Sequence, residues 1–516
     1  MQRLCLTLAM TSMAGLAWGA SYHVDSQAGN DENPGTSPDK AWKTLKRAGE
    51  QKLGPGDRLL FRAGCTWQGT LTVEAVGEED KRALVGKYGE GELPCIDGGG
   101  ARRAVLVMDS SHLTVEDLEI TNPGKQDGKT LRSGIDVRWT GKSRKKFPGA
   151  ADAKPGTRPG HLLLRRLFVH DVSGVVTRRT KPSFYANAGI YVQNSSGIEL
   201  ENLRVEGCRM IDIRGVGCRL ICGSRLKKKR GRKGKDALRS DRVAFCNNLI
   251  RRTGADGLIV TYARNALVSG NRCYEAGIYG KPGESGTQVL AGIWVGWYTH
   301  NSVFEHNEVA RTRLWMNDGH AFDVDNECSG THVFQYNYTH GNEGGVLMVM
   351  PSNRGSVIFR YNVSVDDRAK RAPRQGFGIR GPGKVSIYNN TFVNLSSQPF
   401  TVKNNKLIQL ANNIFYSKIR TNHPGSPTFR NNCFFGPHRG LKDPRKLTAD
   451  PQLVKVCPPR DGIKHADNYR IRPGSPCRDA GAEIKGNGGR DFWKNPIYAG
   501  KPDIGAHEIP VDEPAR

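Results

Sequence analysis

At 516 residues the chain has room for one large domain or two to three ordinary ones, and 37% hydrophobic content with 62 glycines marks it as polar and turn-rich. No internal apolar run is long enough to cross a bilayer, which excludes an internal membrane span. The formal net charge of +27 points to a polyanionic partner: nucleic acid, an anionic membrane or an acidic polysaccharide.

Residues 1–20 read as a secretory signal peptide. Arg3 supplies the positive start, Leu4 to Leu16 is mostly apolar, and Ala17-Trp18-Gly19-Ala20 offers small residues for cleavage. A secreted or periplasmic location is expected, and export argues against a nucleic-acid partner. Twelve cysteines are scattered without a C-x-x-C pair, and one of them, Cys5, lies in the signal. Cys246, Cys273 and Cys433 stand at apolar strand positions, where cysteine acts as a small buried hydrophobe rather than a bridge.

Residues 21–94 are expected to form an N-terminal segment and cap. Tyr22-His23-Val24 reads as a strand, and Gly29 to Thr36 as a turn cluster. A short helix is expected to start around Ala41 to Leu45, and Pro55-Gly56-Asp57 turns into a strand over Arg58 to Phe61.

From about 95 to 440 the chain repeats. A small–apolar–x–apolar–x pattern recurs at Gly134 to Arg138, Gly189 to Gln193, Gly257 to Thr261, Gly292 to Gly296, Ala321 to Asp325, Gly345 to Val349 and Gly378 to Arg380. A second pattern carries Asn248, Asn271, Asn307, Asn337, Asn362, Asn390, Asn413 and Asn432, at spacings of 23, 36, 30, 25, 28, 23 and 19 residues. Such periods mean a solenoid or propeller, and short strands with Gly and Asn at the bends favour a parallel β-helix. Asn at one equivalent bend suits a left-handed turn or a stacked amide ladder. The N-x-S/T sequences at Asn194, Asn337, Asn362, Asn389 and Asn394 fall mostly on these bends and read as turn chemistry. An insertion at 223–240 carries a basic run from Arg225 to Lys235, a loop suited to a polyanion.

The chain resembles the right-handed parallel β-helix, pectate-lyase-like superfamily of secreted bacterial polysaccharide-degrading enzymes. Three parts carry the resemblance. They are Val24-Asp25 through Pro55-Gly56-Asp57, the Gly/Asn coils, and a C-terminal segment, 441–516. That segment contains Asp450-Pro451, Gly474-Ser475-Pro476, Asp479-Ala480-Gly481 and Pro502-Asp503-Ile504-Gly505-Ala506-His507-Glu508. The resemblance implies an all-β, right-handed parallel β-helix solenoid with an N-terminal cap and an irregular C-terminal segment packed on it, expected to be monomeric. It does not fix the reaction, because the superfamily hosts hydrolases and lyases.

Asp318-Gly319-His320-Ala321-Phe322-Asp323-Val324-Asp325 is the candidate site. Strand alternation turns Phe322 and Val324 one way and Asp323 and Asp325 the other, onto an exposed face. Stacked coils place Trp294 one coil below the pair, Leu347 and Val349 one coil above, and Arg380 two coils above. An aromatic ring, two carboxylates and a guanidinium in one groove suit a sugar. Asp323 and Asp325 are the expected catalytic pair, with Asp318 as a third carboxylate. Trp294, Trp297, Arg380, His320 and His340 are the expected substrate contacts, Tyr298 and Trp315 possible extensions, and Glu343 a reserve acid. Residues i and i+2 on a strand are about 6.6 Å apart, inside the roughly 6.5–9.5 Å of inverting glycosidases rather than the 5–5.5 Å of retaining ones. A glycoside hydrolase acting on a sulfated or uronate-containing polysaccharide is the expected function. A Ca²⁺-assisted lyase, with Asp318, Asp323 and Asp325 on the ion, is the alternative, and a non-catalytic glycan-binding solenoid the third. Ca²⁺ enters only in the lyase reading, and no other cofactor is implied.

Overall fold

Each turn of the chain lays one strand into each of three parallel sheets. The computed structural model describes residues 19–510 apart from 127–128, 176–185, 226–236, 280–289, 316–317, 368–375, 381–382, 397–407, 420, 423–427, 441 and 498–500. Most of the basic run and the whole apolar leader lie outside the described residues. Among those described, the sheets hold sixteen, ten and thirteen strands, and apart from an antiparallel hairpin of Gly223–Arg225 with Ala237–Asp241 each strand pairs in parallel with its counterpart one coil away. Parallel pairing begins at Ser21–Val24 against Arg58–Arg62, so the stacking extends upstream of residue 95. The expected helix forms at Leu45–Glu50, where the Thr44 side chain accepts from Arg47 N and caps it.

No coil can bury its apolar face alone, so the core is one column shared by all of them. Phe304 stacks on Phe334 at 4.5 Å, and Phe392, Phe415 and Phe434 continue the column at 5.1 and 5.0 Å. A second ladder runs through all eight repeating asparagines. Asn337 Oδ1 accepts both Asn307 N and Asn307 Nδ2 at 3.0 Å, and the pattern repeats from coil to coil. Each bend thereby satisfies backbone and amide donors that would otherwise be buried without partners. The ladder ends on buried Asp443, whose Oδ2 accepts Asn432 N and Nδ2 at 2.9 Å. With no further coil to supply an amide oxygen, a carboxylate closes the chain of donors. The asparagines of the N-x-S/T sequences are all buried. All eleven cysteines among the described residues are free, and nine are buried.

The C-terminal segment packs on the last coils through a separate cluster that includes Tyr338, Tyr361, Ile414, Tyr469 and Ile504. Asn412 stitches it down, accepting Gly505 N on its carbonyl and Ala482 N on its side chain, both at 2.8 Å.

The ten-stranded sheet positions the candidate site. Its last five strands are β1 (Leu258–Thr261), β2 (Ile293–Gly296), β3 (His320–Val324), β4 (Gly345–Val349) and β5 (Phe377–Ile379).

Candidate active site

Register decides which side chains meet on the outer face of this sheet. Ile259 pairs with Trp294, Trp294 with Asp323, Asp323 with Met348 and Met348 with Gly378. Toward the N-terminus the same column continues through Arg219 to Tyr191. Leu347 and Val349, expected beside the aspartates, instead pair with Phe322 and Val324 and face the core. The coil after β3 returns one residue out of step, Gly345 standing opposite His320. Backbone bonds carry the stacking past the strand ends: Asp325 N donates to Val295 O, Met350 N to Val324 O and Arg380 N to Val349 O, at 2.8–2.9 Å. Arg380 therefore lies two coils above the aspartates, exposed.

The aspartate face is not open surface. Asp256, Leu290, Ala291, Trp294, Trp297, Asp318, Asp323, Asp325, Asn326 and Met350 line a cleft of about 460 Å³. Asp323 is only 7% exposed and Asp318 5%, while Asp325 is half-buried. This corrects the expectation of two solvated carboxylates, because Trp294 and Met348 flank Asp323 along its column. Burial pushes the Asp323 carboxyl well up, Asp325, Asp318 and Asp256 push it further, and Arg380 pulls the other way. Burial and the surrounding carboxylates thus both favour the protonated form of Asp323, and its Oδ1 is buried without a partner. Asp325 Oδ1 accepts Asn326 N and Asn326 Nδ2 at 2.7 and 2.8 Å. Asp318 enters from the loop before β3 with φ of 63°, next to Gly319 at 69°. A side chain at Gly319 would meet Leu314 Cβ at 2.9 Å, so glycine is what lets this loop fold back on the strand.

Asp256 is the acid that the sequence reading missed. It lies two coils below Asp323 and is 2% exposed. Trp294 Nε1 and Ala291 N donate to its Oδ1 at 2.8 and 2.9 Å, and its Oδ2 has no partner. Burial raises it to about 7, with Asp318 adding to the shift. The signal available was the recurrence of Asp-Gly just before a coil strand, at Asp256-Gly257 and Asp318-Gly319.

Trp294 is 5% exposed and forms the floor, with Trp297 edge-on to it at 6.0 Å. Trp297 and Tyr298 follow β2 with φ of 35° and 67°, backbone strain of the kind that collects at functional sites. The Arg219 guanidinium lies 5.9 Å from the Trp297 ring centroid and 6.0 Å from that of Tyr191.

The remaining candidates lie elsewhere. His320 shares the parity of Phe322 and Val324, is fully buried, and does not line the cleft. His340 sits in the thirteen-stranded sheet, where its Nε2 lies 3.0 Å from Glu308 Oε1. Gly462 N donates to the same oxygen at 2.8 Å, so this group helps dock the C-terminal segment. Both histidine expectations are corrected for one reason: each side chain belongs to a different packing layer from the aspartates. Glu343 accepts Leu314 N and pairs with Arg313, holding the 311–315 loop. Trp315 Nε1 donates to Gly277 O under that loop. Among the described residues, the one trio of His, Cys, Asp or Glu whose ligand atoms lie within 4.8 Å of one another is Glu308, His340 and Asp461. Asp318, Asp323 and Asp325 do not converge in that way, and Asp461 is already paired with Arg311.

A family model described as "Right handed beta helix region" matches residues 168–363. The fold is a right-handed parallel β-helix. This β-helix protein is 27% identical to the lacto-N-biosidase of Bifidobacterium longum subsp. longum over 96% of its own length and 36% of that protein's. It thus spans about a third of the curated relative. A 64-residue stretch, 12% of this chain and 10% of the relative, is 36% identical to alpha-1,3-galactosidase A of Akkermansia muciniphila. Among solved structures, the GH136 lacto-N-biosidase of Eubacterium ramulus superposes with a TM-score of 0.57 at 25% identity, covering 74% of this chain and 65% of that one.

Proposed function

We propose that the chain is an exported glycoside hydrolase that cleaves a glycan in the cleft over Trp294. The observation that carries this is the convergence of Asp256, Asp318, Asp323 and Asp325 on one cleft floored by an indole, where burial and the neighbouring carboxylates push the Asp323 carboxyl up. Glycoside hydrolysis needs one carboxyl that keeps its proton at neutral pH and one that stays ionised, and such pairs are made by environments that push their pKa values apart. Asp323 is the proton donor in this proposal. Asp325, half-exposed and accepting two N–H bonds, supplies the ionised carboxylate. Asp318 is the third carboxylate that keeps Asp323 neutral. The likeness to lacto-N-biosidases supports hydrolysis of a glycan, and lacto-N-biose-terminated oligosaccharides are the first substrates to try.

The lining also bears on substrate charge. An anionic glycan has its support in the net charge of +27, whereas the ionised carboxylates among the four aspartates of the cleft favour an uncharged sugar where the bond breaks. A uronate there would stand against like charges, which disfavours the lyase alternative. One chain builds the whole cleft, so a monomer suffices, and the apolar leader is the support for export.

The test is a reducing-end assay on neutral and anionic glycans, with absorbance followed near 235 nm. Hydrolysis gives reducing ends without new absorbance. A rise at that wavelength means elimination and overturns the proposal.

A further inference from the structure

Asp256 stands apart from the other three acids in its bonding. Its Oδ1 is fully used by Trp294 Nε1 and Ala291 N, which fix both the carboxyl plane and the indole plane. Its Oδ2 has no partner although the side chain is buried and lines the cleft. Leaving a buried polar atom without a partner is unfavourable, and a bound ligand removes that penalty. Asp256 also lies one coil below Trp294 while Asp323 lies one coil above it, so the two acids stand on opposite sides of the coil that carries the indole.

We propose that Asp256 is a substrate-binding residue that acts as a neutral carboxylic acid, its Oδ2–H donating to an acceptor oxygen of an uncharged pyranose stacked on Trp294. This deepens the hydrolase reading and rests on it for the position of the cleaved bond, though not for binding itself. Three ionisable groups face Asp256: the Asp318 and Asp323 carboxyls and the buried Cys273 thiol. The thiol is pushed up to about 12 and stays neutral. Loss of the Asp256 proton would therefore place a new negative charge directly among carboxylates. It would remove the donor and repel any electron-rich oxygen at the same position. The ligand class follows from this chemistry: a neutral sugar presenting a hydroxyl or amide oxygen, with uronates and sulfated sugars excluded from this subsite.

The experiment compares Asp256→Ala and Asp256→Asn with the unaltered protein. Asparagine keeps an oxygen for Trp294 and Ala291 and puts an N–H where the acid O–H stands, but cannot ionise. Asp256→Ala should raise KM about tenfold, the worth of one well-placed hydrogen bond, with a smaller change in kcat. Asp256→Asn should recover most of that affinity and abolish the fall in affinity above about pH 7. Binding of lacto-N-biose and of galacturonic acid to the inactive Asp325→Asn protein, read by indole fluorescence, separates this proposal from the hydrolase reading. If no glycan is cleaved but lacto-N-biose binds with Asp256-dependent pH sensitivity, the binding proposal survives alone. Unchanged KM in Asp256→Ala would overturn it. So would a kcat loss of about 10²-fold or more in folded Asp256→Asn, which would make Asp256 the proton donor. Preferential binding of galacturonic acid would also overturn it.

Discussion

The indole of Trp294 lies across Gly296. A Cβ built on Gly296 would stand 2.5 Å from Cζ3 of that ring and 2.9 Å from Asp325 Cβ. The glycine sets the tilt of the Trp294 ring and the position of a carboxylate at once. Gly296→Ala should therefore displace both. A misplacement of this kind costs turnover up to about 10²-fold, with a stability loss of about 1–3 kcal/mol from overpacking. Steady-state kinetics beside a denaturation curve would check this, and a kinetically normal Gly296→Ala protein would remove Trp294 from the site.

Asp323→Asn and Asp325→Asn should each lower turnover by about 10²-fold or more, the usual contribution of acid–base catalysis. Their stabilities should differ. Asp323 has a raised folded pKa. Its contribution is complete below the unfolded value, near 4, and is lost as pH rises toward the folded one. At neutral pH the folded protein pays to keep that proton, so Asp323→Asn should be as stable as the native protein or more so. Thermal melts at pH 5 and 8 would show it. Activity-dead but stable Asp318→Asn alongside active Asp323→Asn would move the proton donor to Asp318.

The spacing of the pair along the chain favours inversion at the anomeric carbon. Proton NMR of fresh hydrolysate should show the inverted anomer first. Early appearance of the retained anomer would mean that the two working carboxylates stand closer than an i, i+2 pair.

The asparagine ladder should be costly to interrupt. Asn337→Ala removes the acceptor of both Asn307 donors and strands two buried N–H groups. A loss of about 1–3 kcal/mol per stranded group is expected, read as a lower denaturant midpoint, with little change in KM because the ladder is remote from the cleft.

The C-terminal segment should loosen at alkaline pH. Burial raises Glu508 to about 8 and Asp491 and Asp503 to about 6. Raised acids stabilise fully below their unfolded pKa and lose that contribution as pH climbs through the folded one. Stability should fall between about pH 5 and 8, and Glu508→Gln should flatten the upper part of the decline. A melting temperature that rises over this window would refute the assignment.

The sequence by itself determined the solenoid. Short apolar strands at a period of a few tens of residues cannot bury themselves except by stacking, and eight recurrent asparagines marked one bend in each of the last eight coils. Trp294 below Asp323 was also legible, because β1, β2 and β3 keep the same step from their glycine or alanine. What the sequence could not show was the slip at Gly345, where one extra residue turns Leu347 inward and brings Met348 to Asp323. Nor could it show that the aspartate face is closed. An alternating strand looks half-solvated when read alone. Only the neighbouring coils and the loops beside them remove water from Asp323, push its carboxyl up, and bring Asp256 from 67 residues upstream into the same cleft. Side-chain direction is a local property of a strand, whereas desolvation belongs to everything packed around it. The tertiary structure therefore decided which acids share a site and which of them are desolvated.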